Sequence, residues 1–454
     1  MPGKRSLRLR FPFAGVSQHS ELAWQEPFSS PSAVNVRGEC QIDRRRRGGS
    51  RPGLVALSTT TTNESEWQWP NGETIQWPDG QDMTYELSSS EAALPDGTKV
   101  VKHGTIIQAF GDAPAGYTVS CIYRDRLILI KDNLWWASRM GDHADWSIAD
   151  DKEDAARAVA GAVGLAGDGT EPIIAAIPFR DDVLVLATRN SLWVLRGDPA
   201  TGQIEILSDE VGIIAPYAWA LYEGTLAFLS NDGVYIGSPT SAPQRFSEER
   251  MPEELRNVDT DNTITMGWDP DGRGFHLFIT PASGVGNHYW LGIEDRSFWP
   301  VSFFTDDHQP VATARIKNDG LHEMAVLGRD STWRKFSQDA TDDDGSTIVS
   351  RVVFGPFRLA SSDMEDGLFA ELHGILAVDS GVASWTVYTG DTAEEVADNA
   401  ASETGGTTGG WNAGRNRVVR PRQRGAFAAI ALKATDRWAF ESMSAVTQQL
   451  GRIR

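Results

Sequence analysis

Apolar and polar residues along this chain switch in short runs, without the spacing of three and four that marks a helical stripe. Ile173–Phe179 is apolar, Arg180-Asp181-Asp182 turns, and Val183–Thr188 is a β-branched and aliphatic run. Arg189-Asn190 turns again, Ser191–Leu195 returns, and Gly202–Ser208 follows a loop containing glycine and proline. Short runs bounded by tight polar turns read as antiparallel strands, so 173–208 is predicted to be a four-stranded meander. A single meander leaves its hydrophobic faces uncovered. Copies of it are therefore expected.

The copies are present. Leu127–Ile130 and Leu134–Ala137 flank Lys131-Asp132-Asn133, and Leu226–Leu229 and Val234–Ile236 flank Ser230-Asn231-Asp232-Gly233. Phe275–Ile279 with Tyr289–Leu291, and Met324–Leu327 with Thr332-Trp333, repeat the hairpin. Tight-turn residues precede each one: Arg124-Asp125, Arg180-Asp181-Asp182, Glu223-Gly224, Asp271-Gly272 and Asn318-Asp319-Gly320. Trp135, Trp193, Tyr235, Trp290 and Trp333 occupy equivalent places, 58, 42, 55 and 43 residues apart. Four-stranded units recurring at this period predict an all-β protein, a β-propeller of at least five blades. The five aromatics are expected to pack between neighbouring blades, where large rings lose most surface to solvent. A β-sandwich with coincidental hairpins is the plainer alternative.

Beyond 340 the period is lost. Val349–Leu359, Glu371–Val378, Ser384–Tyr388, Phe427–Leu432 and Trp438–Ser442 predict a smaller C-terminal β domain, sandwich-like, over 341–454. The propeller is then assigned to 59–340 and a basic N-terminal arm to 1–58. Between the first two units, Asp154–Leu165 is rich in alanine and predicts a short helix. Trp67–Gly72 and Trp77–Gly80 have hairpin-turn chemistry and are expected to pack on a neighbouring subunit.

Charge sharpens this division. The 454 residues carry −20, but Met1–Arg51 holds ten Lys/Arg against four Asp/Glu (+6). Gly409–Arg454 holds nine against two (+7), which leaves −33 for 52–408. The body repels polyanions at long range, while the two ends attract them or dock on acidic protein. Arg44, Arg45, Arg46, Arg47 and Arg51 form one candidate contact for a partner or a DNA backbone. Arg415, Arg417, Arg420, Arg422 and Arg424 form the other, with an acidic neighbouring subunit favoured. The competing reading of the first cluster is a solubilising arm, or a propeller-closing segment whose arginines pair with acidic blades. Two cysteines, Cys40 and Cys121, give no disulfide framework. No membrane-spanning run appears.

Phe13-Ala14-Gly15-Val16-Ser17-Gln18, the Asn35-Val36-Arg37 stretch and Arg47–Leu54 together resemble the N-terminal pattern of tail nozzle (tail tubular) proteins of short-tailed bacteriophages. Trp136–Asp142 with Trp146, and Leu229–Tyr235, are similar to the same family. The resemblance covers roughly residues 8–340. It implies a propeller-bearing, non-enzymatic virion protein in a homo-oligomeric ring of six, beneath the tail adaptor and beside tail fibre or spike proteins. It also implies transient, non-specific passage of DNA, location in the virion tail after assembly in the host cytoplasm, and no membrane insertion by the protein itself. Another head–tail connector is the nearest alternative. A carbohydrate-binding or glycan-cleaving propeller is the alternative from a different class.

Enzyme signatures are weak. No nucleophile elbow, phosphate loop, paired metal-binding histidines or Cys-x-x-Cys occurs, and neither cofactor nor metal is expected. Ser230–Gly233 and Asp330–Trp333 match only fragments of a sialidase turn. Asp342–Gly345 is similar to a calcium loop but has Ala340 where the first ligand belongs. It is read as a solvated turn.

Overall fold

A computed structural model describes residues 4–18, 22–26, 28–58, 113–148, 154–164, 171–248, 250–251, 253–318, 321–360 and 365–452, with short strand pieces between 65 and 106. The tryptophan-containing turns at 67–72 and 77–80 lie outside them.

Five antiparallel meanders carry the repeat, and the protein is an all-β propeller with a second β domain. The first meander joins Val119–Tyr123, Arg126–Lys131, Leu134–Ala137 and Val159–Ala162. The second joins Ala175–Arg180, Val183–Ala187, Leu192–Arg196 and Gln203–Ser208. The third runs from Trp219–Tyr222 to Ser241–Arg245 and the fourth from Thr263–Asp269 to Ser297–Val301. Two predicted turns are two-residue loops: Tyr123 pairs with Arg126 and Tyr222 with Thr225. Both residues of each loop have positive φ (Arg124 50°, Asp125 54°; Glu223 43°, Gly224 82°), the mirror-image turn whose twist matches its strands.

The predicted helix over 154–165 is replaced by the fourth strand of the first meander, Val159–Ala162. Gly161 decides this locally, because a Cβ there would sit 2.5 Å from the Trp135 ring. Alanine-rich composition favours a helix only weakly, and the open edge of the meander outweighs it.

The fifth meander has three strands in sequence, Pro310–Asn318, Leu321–Gly328 and Trp333–Ser337. Its next strand is Gly53–Ser58, drawn from the N-terminal end of the chain. The N-terminal region is thus not a separate arm. Lys4–Leu9 pairs with Phe440–Arg452, and Ala33–Val34 pairs with Ser350–Arg358.

The C-terminal domain is built from two sheets. One is ordered Lys4–Leu9, Phe440–Arg452 and Glu365–Leu376, with Gly414–Arg415 and Gln423–Gly425 along its far edge. The other is ordered Ala33–Val34, Ser350–Arg358, Phe427–Ala434, Ala383–Gly390 and Thr407–Trp411. The helix Ala393–Ala401 starts where the Thr392 side chain accepts from the Glu395 amide, and buries Ala393, Val396, Ala397 and Ala400. Trp385, Trp411, Trp438 and Phe440 fill a core that continues into the fourth meander. Phe11 bridges the two, 5.7 Å from Trp299 and 5.9 Å from Phe440 between ring centres.

The chain forms two compact units. One comprises Met1–Leu57, Tyr217–Gly237 and Gln244–Arg454; the other comprises Ser58–Pro216 and Ser238–Pro243. The first holds the fourth and fifth meanders and the sandwich, the second the first two meanders.

Candidate functional site

Charged groups buried where the N-terminal segment meets the fourth and fifth blades are the most unusual chemistry of the first unit. Arg37 lies with its guanidinium 4.8 Å from the Trp290 ring and 5.5 Å from Phe336. Arg51 lies 5.9 Å from Phe336 and 5.1 Å from Phe303. The resulting order, Trp290–Arg37–Phe336–Arg51–Phe303, alternates aromatic faces with cations in a dry interior, where such contacts are strongest.

Each cation has its counter-charge. Arg51 donates through Nη1 and Nη2 to the Asp343 carboxylate at 2.9 and 2.5 Å, and through Nε to Asn35 Oδ1 at 2.8 Å. Asn35, with φ 54°, also accepts from the Ser302 amide and donates to the Val349 carbonyl. Arg37 pairs with Asp269 at 3.4 Å and approaches His276 Nε2 at 3.0 Å. A guanidinium only donates, so Nε2 accepts and the imidazole is neutral, with its proton on Nδ1. Burial lowers the His276 pKa to about 4, and Arg37 adds to the effect while Asp269 opposes it. Burial likewise lowers His288 to about 4, against the pull of Gln309. Burial opposes ionisation of Asp269, but the Arg37 guanidinium and the Gly272 amide that donates to it hold its carboxyl well below the usual range.

Arg51, expected at a partner or DNA surface, is therefore misplaced by sequence reading: it is fully buried. A basic cluster in sequence says nothing about which member turns inward, and the partner that decides it, Asp343, is 292 residues away. Arg37 was missed as a site residue altogether. The other members of the first cluster are closer to the competing reading. Arg44 pairs with Asp271, Arg45 and Arg47 with Asp43, Arg46 with Asp295, and Arg47 also with Glu441. In the second cluster all five arginines are exposed. Arg420 pairs with Glu371 and Arg424 with Asp366, while Arg415, Arg417 and Arg422 make no ion pair among the described residues.

The five repeat aromatics all fall on the third strand of their meander: Trp135, Trp193, Tyr235, Trp290 and Trp333. Trp135 belongs to one buried cluster with Val163, Ile173 and Ala176, and that cluster spans the first two meanders. Trp193 and Trp333 are only half-buried, and Tyr235 stacks on Phe228 of its own blade. Trp290 covers Arg37, as described above.

A cleft of about 420 Å³ opens on the first strands of the third, fourth and fifth meanders. Trp219, Met266, Trp268, Thr313 and Met324 line it, with Tyr217 standing 68% exposed beside them. The loop that is similar to a calcium site is occupied by protein groups: Asp342 accepts from Gly345, Asp343 holds Arg51, and Asp344 holds Arg334. Among the described residues no three His, Cys, Asp or Glu side chains converge as metal ligands. No helix among them is long and apolar enough to cross a membrane.

Fold and geometry define a β-propeller joined to a β-sandwich by a threaded N-terminal segment. No family model and no curated protein matches the chain. Among solved structures it is similar to U3-55K, at 9% identity over 64% of this chain and 91% of that one (TM-score 0.33). It is also similar to Hsv2 of Kluyveromyces lactis, at 11% over 56% and 83% (TM-score 0.27). BBS1N in its complex with ARL6DN gives 12% over 53% and 69% (TM-score 0.32). Likeness at this level carries no argument about what the protein does.

Proposed function

We propose that this chain is a non-enzymatic structural component of a short-tailed phage virion, the tail nozzle around the DNA exit path. One observation carries the reading: N-terminal residues that resemble the nozzle pattern are among those that bind the N-terminal segment into the first unit. Gly15 forms a bridge with Phe298, and a Cβ there would lie 2.4 Å from the Phe298 carbonyl oxygen. The Ser17 amide donates to the Ser30 carbonyl and the Ser30 amide to the Gly15 carbonyl, while Asn35, Arg37 and Arg51 form the buried polar seam. A seam of this kind suits a rigid assembly part more than a binding loop. The body's charge of −33 over 52–408 suits a wall that DNA passes without adhering, since every phosphate neutralised by Lys/Arg adds salt-dependent affinity. The partners this implies are further copies of the chain, a tail adaptor, and fibre or spike proteins.

The cleft bearing the exposed Tyr217 beside half-buried Trp219 favours a second reading, a carbohydrate-binding propeller, because exposed aromatic faces stack on sugar rings. Imaging the purified full chain by electron microscopy separates the two. Rings with an open channel support the nozzle; single particles that bind a glycan array support the lectin and remove the nozzle.

A further inference from the structure

The segment 414–425 lines one edge of the sandwich. Its pairs with the strand Glu365–Leu376 run from Gly414 opposite Leu376, through Val419 opposite Leu372, to Gly425 opposite Gly367. Nine residues of strand separate those ends, roughly 30 Å at about 3.3 Å per residue. Five arginines stand along this edge, and three of them are exposed with no ion pair among the described residues. Arg422 holds φ 53°, an uncommon backbone conformation for a long side chain. Residues 414–425 contain no aromatic side chain and Trp411 just before them is buried, so the edge offers guanidinium forks and no aromatic platform for bases. Planar forks of this kind suit carboxylates.

The matching charge is on the same chain. The loop between the third and fourth meanders exposes Glu248, Glu253, Asp259 and Asp261, with Arg256 as its one exposed cation among the described residues. Among the described residues no ion pair joins the arginine edge to this loop within a protomer: Arg420 and Arg424 pair with Glu371 and Asp366. Glu253 meets only the exposed Arg256 of its own loop, at 3.2 Å, and surfaces of opposite charge that do not meet inside one copy fit a head-to-tail contact, in which one patch meets a different patch on the next copy.

We propose that the Arg415–Arg424 edge of one protomer docks on the Glu253–Asp261 loop of a second copy of this chain. The inference rests on the structural-assembly reading and names the surfaces that assembly uses. The test is sedimentation velocity on the full chain at low and high salt. The variants are R415E/R417E/R422E, E253K/D259K/D261K, and the two sets combined. Each set alone should weaken assembly at least tenfold, and combining them should restore most of it, with melting curves matching the wild type because all six side chains are exposed. Arg→Gln and acid→amide versions guard against a fold lost to charge reversal. Wild-type assembly that neither set weakens overturns the proposal and leaves the structural reading standing. Loss of heparin retention without loss of assembly also overturns it, making the edge a polyanion site. A wild-type chain that stays monomeric overturns both.

Discussion

Arg51 and Asp343 are 292 positions apart in sequence and form a two-point ion pair with almost no exposure to solvent on either side chain. The Asp343 carboxylate also accepts from the Leu54 amide, beside the point where Gly53–Ser58 enters the fifth blade. The pair therefore fixes the borrowed strand by its charge as well as by its ladder.

Asp343→Asn should destabilise the first unit by roughly 3–5 kcal/mol, because it leaves the Arg51 guanidinium buried without its counter-charge. Replacing both, as Arg51→Met with Asp343→Leu, should cost much less than the single change. Urea unfolding of the three variants measures this. Equal losses in single and double variants would show that the pair does not act as a unit.

Stability should fall as pH falls from about 6.5 toward 4. His276 and His288 have folded pKa values near 4 against an ordinary 6.5, so the unfolded chain takes up protons that the folded chain refuses. The sign follows: stability is highest above the unfolded pKa and declines below it, by about 3 kcal/mol per histidine once pH reaches 4. The window from pH 6.5 to 5, where most carboxylates are still ionised, isolates the effect. Midpoints that stay level across that window would remove it.

Trp135→Ala should cost roughly 3–5 kcal/mol, since its buried ring lies over Gly161 and belongs to a core shared with the second meander. Trp193→Ala should cost clearly less. That ring is half-buried and its indole nitrogen donates to Ser191 at 2.9 Å. Thermal melts of the two variants should differ in that order.

Gly15→Ala should lower stability by more than about 1 kcal/mol. Its φ is 77°, and an added Cβ would press on the Phe298 backbone at 2.4 Å. Limited proteolysis of the N-terminal segment reports the loss directly. A wild-type digestion pattern would mean that the bridge to Phe298 contributes little.

Charge reversal across Arg44, Arg45 and Arg46 should leave the isolated fold nearly unchanged. Their partners Asp271, Asp43 and Asp295 are met at exposed or half-exposed positions, where each pair is worth about 0–1 kcal/mol. A melting point lowered as far as by Asp343→Asn would contradict that ranking.

Strands and turns were legible because they are local. The alternation at 173–208 and the paired turn residues at Arg124-Asp125 and Glu223-Gly224 place hairpins without knowledge of the rest. The seam was not legible, because Arg37, Arg51, Asp269 and Asp343 acquire their roles only when distant segments meet. The fifth blade hid its fourth strand for the same reason: Gly53–Ser58 precedes Pro310–Asn318 by more than 250 residues. The helix Ala393–Ala401 went unread, and its Thr392 cap is the signal that marks it.

The pairing of Lys4–Leu9 with Phe440–Arg452 carries a consequence for synthesis. A ribosome releases the first of these strands long before the second exists, so Lys4–Leu9 stays unpaired until Met443–Gln448 has been made. Contacts of such long sequence separation close slowly, and an unpaired strand edge invites aggregation while it waits. A nascent chain that stalls at residue 430 would hold five finished meanders yet lack the strand that Lys4–Leu9 needs. Prematurely terminated products should therefore remain soluble only while a chaperone shields that edge, and accepting only full-length protomers into larger structures would follow from topology alone.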